Sequence, residues 1–320
     1  MTTVETVRGP IDSSALGKVY VHEHVFVLGE EYRQNYEGDW NEDQKIADAV
    51  RDLNELKSLG IDTIMDPTVL GLGRYIPRIQ KIAEQTDLNI IAATGVYTYN
   101  DVPFQFHYAG PGLMIDVADP MIDLFVKDIT EGIAGTSVKA AFLKCAIEAD
   151  GLTPGVERVL RAVGAAAVQT GKPVTVHTNV HNQSGLVAQR VLKEEGVDLS
   201  KVIVGHSGDS TDLDYLTQIA DAGSYLGMDR FGIDILLPFE DRVNTIVELV
   251  KRGYVEKIVV AHDASCFIDW FDPDTKAVIA PKWHFRHITE DVVPALLERG
   301  LTEDDIDTIL VKNPRRYFEA

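Results

Sequence analysis

The sequence predicts an α/β chain closed into one (β/α)8 TIM barrel over residues 1–320, and three observations carry that expectation. Short β-branched apolar runs recur eight times, each followed by a longer stretch with helical periodicity, which is the signature of repeated βα units around a parallel sheet. The units are spread evenly, without a Pro/Gly/Ser-rich linker or a low-complexity run, and this favours a closed barrel over an open doubly wound sheet. The length of 320 residues is one that single barrels of this kind commonly reach.

In chain order the strand candidates are VYVHEHVF from Val19, IDTIMDPTV from Ile61, NIIAATGVY from Asn89 and AAFLKCAIE from Ala140. They continue with PVTVHT from Pro173, VIVGHSG from Val202, YLGMDRFG from Tyr225 and KIVVAHDA from Lys257. Amphipathic stretches lie between them. EDQKIADAVRDLNELKSLG stops on Gly60 and TPGVERVLRAVGAAAVQTG stops on Gly171, glycine being the residue that most easily ends a helix in a left-handed turn. Two connections are long, Thr98 to about Asp116 after the third strand and Ser265 to about Trp283 after the eighth. Long loops after barrel strands are expected to be lids or pocket walls.

Composition narrows the function. An apolar fraction of 45% with 25% charged residues is average for a chain that buries a core. Thirty basic against fifty acidic residues give a formal charge of −20, a field that repels phosphate backbones and anionic lipid surfaces. Nucleic acid and membrane are therefore not expected partners, and the substrate is expected to be a small, neutral or weakly charged molecule. The N-terminal MTTVETVRGPID has no basic segment leading into an apolar one, and no run approaches about eighteen apolar residues, so a soluble cytoplasmic location is expected. With Cys145 and Cys266 as the two cysteines there is neither a disulfide framework nor a CxxC zinc site. Any metal must use other ligands.

Those ligands are in the strands. Side chains alternate along a strand, so His22 and His24 share a face that can be the barrel interior, while Glu23 points away. Two imidazoles spaced in this way can place two neutral nitrogens on one cation, although alone the pair is equally a surface or core feature. His177 ends PVTVHT, His206 ends VIVGHSG and Asp263 ends KIVVAHDA, all at C-terminal strand ends, where catalytic groups of barrels collect. Singly each could be a hydrogen-bonded core histidine or a helix cap. Together, five metal-preferring side chains on four strands aim at one rim. Lys144 lies inside the apolar run AAFLKCAIE, where an ammonium is costly to bury. A depressed pKa would let its amine capture carbon dioxide as a carbamate that bridges two cations; the other reading is a lysine reaching out to the barrel mouth.

This ordered set of motifs, HEH on strand one, the lysine on strand four, HT on strand five, GHSGD on strand six, MDRFG on strand seven and AHD on strand eight, resembles the phosphotriesterase branch of the amidohydrolase superfamily. More closely it resembles the phosphotriesterase-like lactonases, which open acyl-homoserine lactones and related lactones and hydrolyse organophosphates weakly. The likeness runs from the GPID turn near Gly9 to the NPRRYF tail. It implies that His22, His24 and Asp263 hold a buried metal, that His177 and His206 hold an exposed one, and that N6-carboxylated Lys144 and a hydroxide bridge the two divalent ions. It further implies that Tyr99 and Arg230 orient the substrate, that Cys266 and the loop with Trp270 wall the acyl pocket, and that the chain forms a homodimer. A hydroxide shared by two cations exists at neutral pH and can attack an electrophilic carbon, with Asp263 passing its proton to the leaving alkoxide.

Alternatives stay open for the auxiliary residues. Tyr99 can be an ordinary loop aromatic, and Arg230 can pair with Asp229 or Asp209. Asp209 and Asp234 are expected to back the imidazoles or start helices, and His262 should face away from Asp263. Cys266 can equally be a packing residue, as Cys145 is expected to be. The segment IDWFDPDTKAVIAPKW, with few positions favouring helix, suits a partly mobile wall. His and carboxylate ligands accept zinc, cobalt, manganese or iron. The competing functions are a dedicated organophosphate phosphotriesterase and a barrel that binds a ligand without turnover; the complete ligand set argues against the latter.

Overall fold

The computed structural model describes residues 2–36, 38 and 40–320. Eight parallel strands form one sheet whose order follows the chain. They are β1 Val19–Tyr20, β2 Thr63–Asp66, β3 Asn89–Gly95, β4 Phe142–Ile147, β5 Val174–Thr178, β6 Val202–Gly205, β7 Tyr225–Met228 and β8 Ile258–Val260. Each lies inside one of the runs expected from sequence. The Val21 amide donates to the Val260 carbonyl at 3.3 Å, so the first and last strands meet and the sheet closes into a (β/α)8 barrel.

The strands are almost wholly buried because helices cover the outer face and side chains fill the centre. Glu42–Ser58 shows how the sequence makes such a helix. Asn41 caps it by accepting from the Gln44 amide at 3.0 Å, and Ile46, Ala49, Leu53 and Leu56 recur on one face and are buried. Each such leucine or isoleucine contributes roughly 1.5–3 kcal/mol when taken out of water. Pro154–Thr170 repeats the device with Thr153 as its cap, and Gly171 ends it at φ 70°. Gly95, at φ 145°, is required by a close approach, since a Cβ there would lie 1.8 Å from the Lys144 carbonyl oxygen.

The expected continuous first strand is broken. Its ladder with β2 ends at Tyr20, although the Glu23 amide still donates to the Met65 carbonyl at 3.0 Å, and His24–Val27 runs parallel to Ser265–Ile268. On the side of the last strand sits Glu23, fully buried, whose carboxylate accepts from the His262 amide at 2.8 Å, the Ala264 amide at 3.0 Å and His262 Nδ1 at 2.6 Å. A side chain thus satisfies donors that a longer ladder would have paired.

The two long connections behave differently. After β3, Arg158 ties the loop down by donating to the carbonyls of Phe106 at 2.7 Å and Ala109 at 2.8 Å, and residues 100–116 do not reach the cavity at the barrel mouth. The expectation of a pocket wall holds there only for the loop's first residues. The segment after β8 does form a wall, but it is more ordered than its composition suggested. It contains the strand Ser265–Ile268 and a helix, Pro273–Ile279, started by Asp272 as cap and proline in its first turn. Among the described residues no helix is long and apolar enough to cross a membrane.

Candidate metal centre

The C-terminal ends of the strands bring together His22, His24, Lys144, His177, Arg230 and Asp263 around a cavity of about 290 Å3. His22 and His24 both face it while Glu23 points the other way, as strand alternation requires. His206 and Asp263 adopt left-handed backbone, φ 64° and φ 55°. Such conformations cost non-glycine residues on the order of 1–3 kcal/mol and persist where the surroundings impose them.

The outer nitrogen of every imidazole meets a fixed acceptor. His22 Nδ1 lies 3.0 Å from Asp229 Oδ2, and His206 Nδ1 lies 2.9 Å from Asp229 Oδ1. Gly227 leaves room for this carboxylate, since a Cβ there would stand 2.6 Å from Asp229 Oδ2. His24 Nδ1 is 2.7 Å from Thr68 Oγ1, whose hydroxyl donates to Asp66 at 2.5 Å. His177 Nε2 faces Glu148 Oε1 at 3.2 Å. These acceptors assign the proton of each neutral ring to its outer side, leaving bare lone pairs directed inward.

Those lone pairs converge. His206 Nε2 and His177 Nδ1 are 2.8 Å apart. His22 Nε2 lies 3.4 Å and His24 Nε2 3.2 Å from Asp263 Oδ1, with Lys144 Nζ 3.3 Å from His22 Nε2. Bare nitrogens and a carboxylate pointed at one another in a buried space repel unless cations sit among them. The donor set therefore fits divalent metal at two adjacent points, the first served by His22, His24 and Asp263, the second by His177 and His206, with Lys144 beside the first. A grouping of His22, His206 and Asp229 is also compact. Asp229, however, touches both rings on their Nδ1 side and so orients them instead of sharing their cation.

Electrostatics agree with neutral imidazoles. Burial pushes His177 down to about 4, lowers His22, and drives His206 well below the ordinary histidine range. His24 is the exception: burial lowers it, but Asp263 and Asp66 together outweigh burial and raise it to about 9. Burial brings Lys144 down to about 8. Arg230 stays protonated, because against its burial it donates Nε to Asp263 at 3.0 Å and Nη1 to Asp209 at 3.0 Å.

Trp270 and Tyr99 line the cavity as expected, both partly exposed. Cys266 does not. It lines a neighbouring cavity of about 300 Å3, which shares Ser265, Ile268, Phe271, Ala280 and Trp283 with the first, whereas Cys266 itself lines only the neighbour of the two. Asp234 lies exposed in a turn and backs no imidazole, whereas Asp209 braces Arg230 and pairs with Arg242 at 2.7 Å. His262 faces away from the cavity as expected. It meets Glu23 through Nδ1 and accepts the Ile288 amide at 3.0 Å through Nε2, and burial holds it down to about 3.

Sequence reasoning missed five contributors. Tyr97, two residues before Tyr99, sits deeper: its hydroxyl is 3.4 Å from His177 Nδ1 and hydrogen-bonds the Tyr99 hydroxyl, and burial pushes its phenol upward so that it stays a donor. Asp229 was in view only as a partner for Arg230. Thr68 is the penultimate residue of its candidate strand IDTIMDPTV and Glu148 the last of AAFLKCAIE, and that position was the available signal. Trp283 also escaped notice; its indole N–H reaches the His262 carbonyl at 2.9 Å and so pins the end of the wall to β8.

Comparison with known proteins follows the same lines. The profile of the Phosphotriesterase family matches residues 2–318. A phosphotriesterase homology protein of Mycobacterium tuberculosis is 53% identical over 320 residues, covering 100% of this chain and 98% of its own. An aryldialkylphosphatase of Saccharolobus solfataricus is 42% identical over 313 residues, covering 97% of this chain and 98% of its own. The solved structure of the phosphotriesterase from Mycobacterium tuberculosis superimposes with a TM-score of 0.98 at 53% identity, over 99% of this chain and 98% of that one.

Proposed function

Because the chain belongs to the phosphotriesterase family of metal hydrolases, we propose that it opens lactone rings, those of N-acyl-homoserine lactones and their relatives, with promiscuous hydrolysis of phosphotriesters. The observation that carries this reading is the cavity's two-sided character. Its floor holds the imidazoles, Lys144 and Asp263, while Ile233, Ile235, Leu236, Trp270, Phe271 and Ile279 line its upper part. Such a space suits a compact polar ester head with an apolar tail. In this reading the chain works as a homodimer, and interrupting acyl-lactone signals is its consequence.

Two divalent ions, zinc, cobalt, manganese or iron, held by His22, His24, Asp263, His177 and His206 and shared by a carboxylated Lys144, would supply Lewis acidity and lower the pKa of a bound water. The chain's own groups then manage the proton. Asp263 takes it from the attacking water and returns it to the alkoxide that leaves as the ring opens, which balances the reaction as addition of one water to one ester bond. Arg230 keeps Asp263 ionised and aimed through the 3.0 Å contact at Oδ2. Tyr97 and Tyr99, as neutral phenols, offer an O–H to the oxygen on which charge develops. Trp270 packs the tail.

A second reading takes a phosphotriester as the principal substrate, and the 42% identical aryldialkylphosphatase favours it. The test compares turnover of a long-chain acyl-homoserine lactone with that of a diethyl aryl phosphate, before and after chelation and metal restoration, with Asp263→Asn as control. Metal-dependent lactone opening at the higher kcat/KM supports the lactonase reading. A higher kcat/KM for the phosphotriester replaces it with the second.

A further inference from the structure

The four imidazoles are not supported alike. Asp229, which backs His22 and His206, is fully buried, and so is nearly all of Thr68, which backs His24. His177 rests on Glu148, whose side chain is 22% exposed. Glu148 stands immediately after β4, outside the residues that line the cavity, and it meets His177 on the ring nitrogen turned away from His206. It therefore lies behind the His177 ring, outside the cavity.

Its carboxylate is itself held in place. Oε2 accepts from Asn179 Nδ2 at 2.9 Å and from the Ala149 amide. The Asn179 side chain cannot turn over freely, because its Oδ1 accepts the His181 amide at 2.9 Å. Asn182 Nδ2 donates to the Glu148 carbonyl at 2.9 Å, closing the link between the ends of β4 and β5. On the inner side of the His177 ring, the Tyr97 hydroxyl is 3.4 Å from Nδ1 and is shared with Tyr99, a longer contact than the 3.2 Å one that Glu148 makes at Nε2.

We propose that Glu148 is a positioning residue that sets the tautomer and aim of His177, and through it the retention of the outer cation alone. The proposal rests on the binuclear reading above. Removing the acceptor lets the ring carry its proton on Nδ1, which blocks the nitrogen that faces His206. The inner donors, which share no hydrogen bond with Glu148, are left as they were. Loss of an outer partner of a ligating histidine typically weakens metal binding about 10–100-fold.

The test uses the cobalt-loaded full chain and counts metal per chain by mass spectrometry during dialysis against graded chelator. Glu148→Gln is expected to release one of two equivalents at about 10–100-fold lower chelator than the parent, with the second equivalent and the melting temperature of the metal-free form unchanged. Glu148→Asp should recover part of the loss. Asn179→Ala, which removes one of the carboxylate's two anchors together with the cap on the His181 amide and leaves the carboxylate itself, should shift the same equivalent by less and serves if Glu148→Gln does not fold. Release of both equivalents together, or of neither, overturns the proposal. A parent chain that holds fewer than two cobalt ions overturns the binuclear reading first, and this proposal with it.

Discussion

The inner and outer halves of the centre use the same imidazole chemistry on different supports. The inner half, His22 and His24 with Asp263, is sealed by Asp229, Thr68 and Asp66 and tied to the barrel seam through Glu23 and His262. The outer half, His177 with His206, shares Asp229 through His206 but on its His177 side opens on Tyr97, Tyr99 and the partly exposed Glu148. Burial makes a site rigid and slow to exchange; openness lets a substrate oxygen reach it. Under the proposed function, this difference would divide retention and access between the two positions.

The largest expected effect comes from the inner half. Asp263→Asn removes the carboxylate faced by both inner imidazoles and by Arg230, and hydrolysis should fall by about 10³-fold or more, measured as kcat/KM at matched metal content. A fall of less than about tenfold would mean that Asp263 carries no proton. Next is the seam. Glu23→Ala strands the His262 and Ala264 donors and should cost about 3–5 kcal/mol in chemical denaturation, since breaking one side of a buried network leaves the other uncompensated. If the loss is nearer zero, the inner half does not owe its rigidity to the barrel closure.

A smaller effect lies between the halves. Lys144 must be uncharged to take up carbon dioxide, and with its pKa lowered to about 8 the uncharged fraction grows as pH rises through that value. Metal restoration of chelated protein in bicarbonate should run about 25-fold faster near pH 8.5 than near pH 6.5, the ratio of neutral amine. A rate flat with pH would show that carbamate formation does not limit assembly. The smallest effects separate the two neighbouring cavities. Trp270→Ala should raise KM for a long acyl chain by about three- to tenfold with little change for a short one, whereas Cys266→Ser, in the neighbouring cavity, should change either KM by less than about twofold. Equal responses would merge the two.

The sequence by itself determined the barrel and the inward-facing donors. Eight β-branched runs can bury both faces only in a closed or covered parallel sheet, and alternation decided that His22 and His24 share a face while Glu23 leaves it. His177, His206 and Asp263 were legible because each ends a strand. Tertiary structure alone decided how those donors are held. That Asp229 bridges His22 and His206, that Glu23 closes the seam with His262, and that Glu148 backs His177 depend on contacts across 207, 239 and 29 positions of chain, which no local pattern encodes. Tyr97 displaced Tyr99 as the deeper phenol for the same reason, since depth in the cavity is set by the neighbouring strands. Cys266 illustrates the limit most simply: it follows Ser265, which lines the pocket, yet itself lines only the neighbouring cavity of the two.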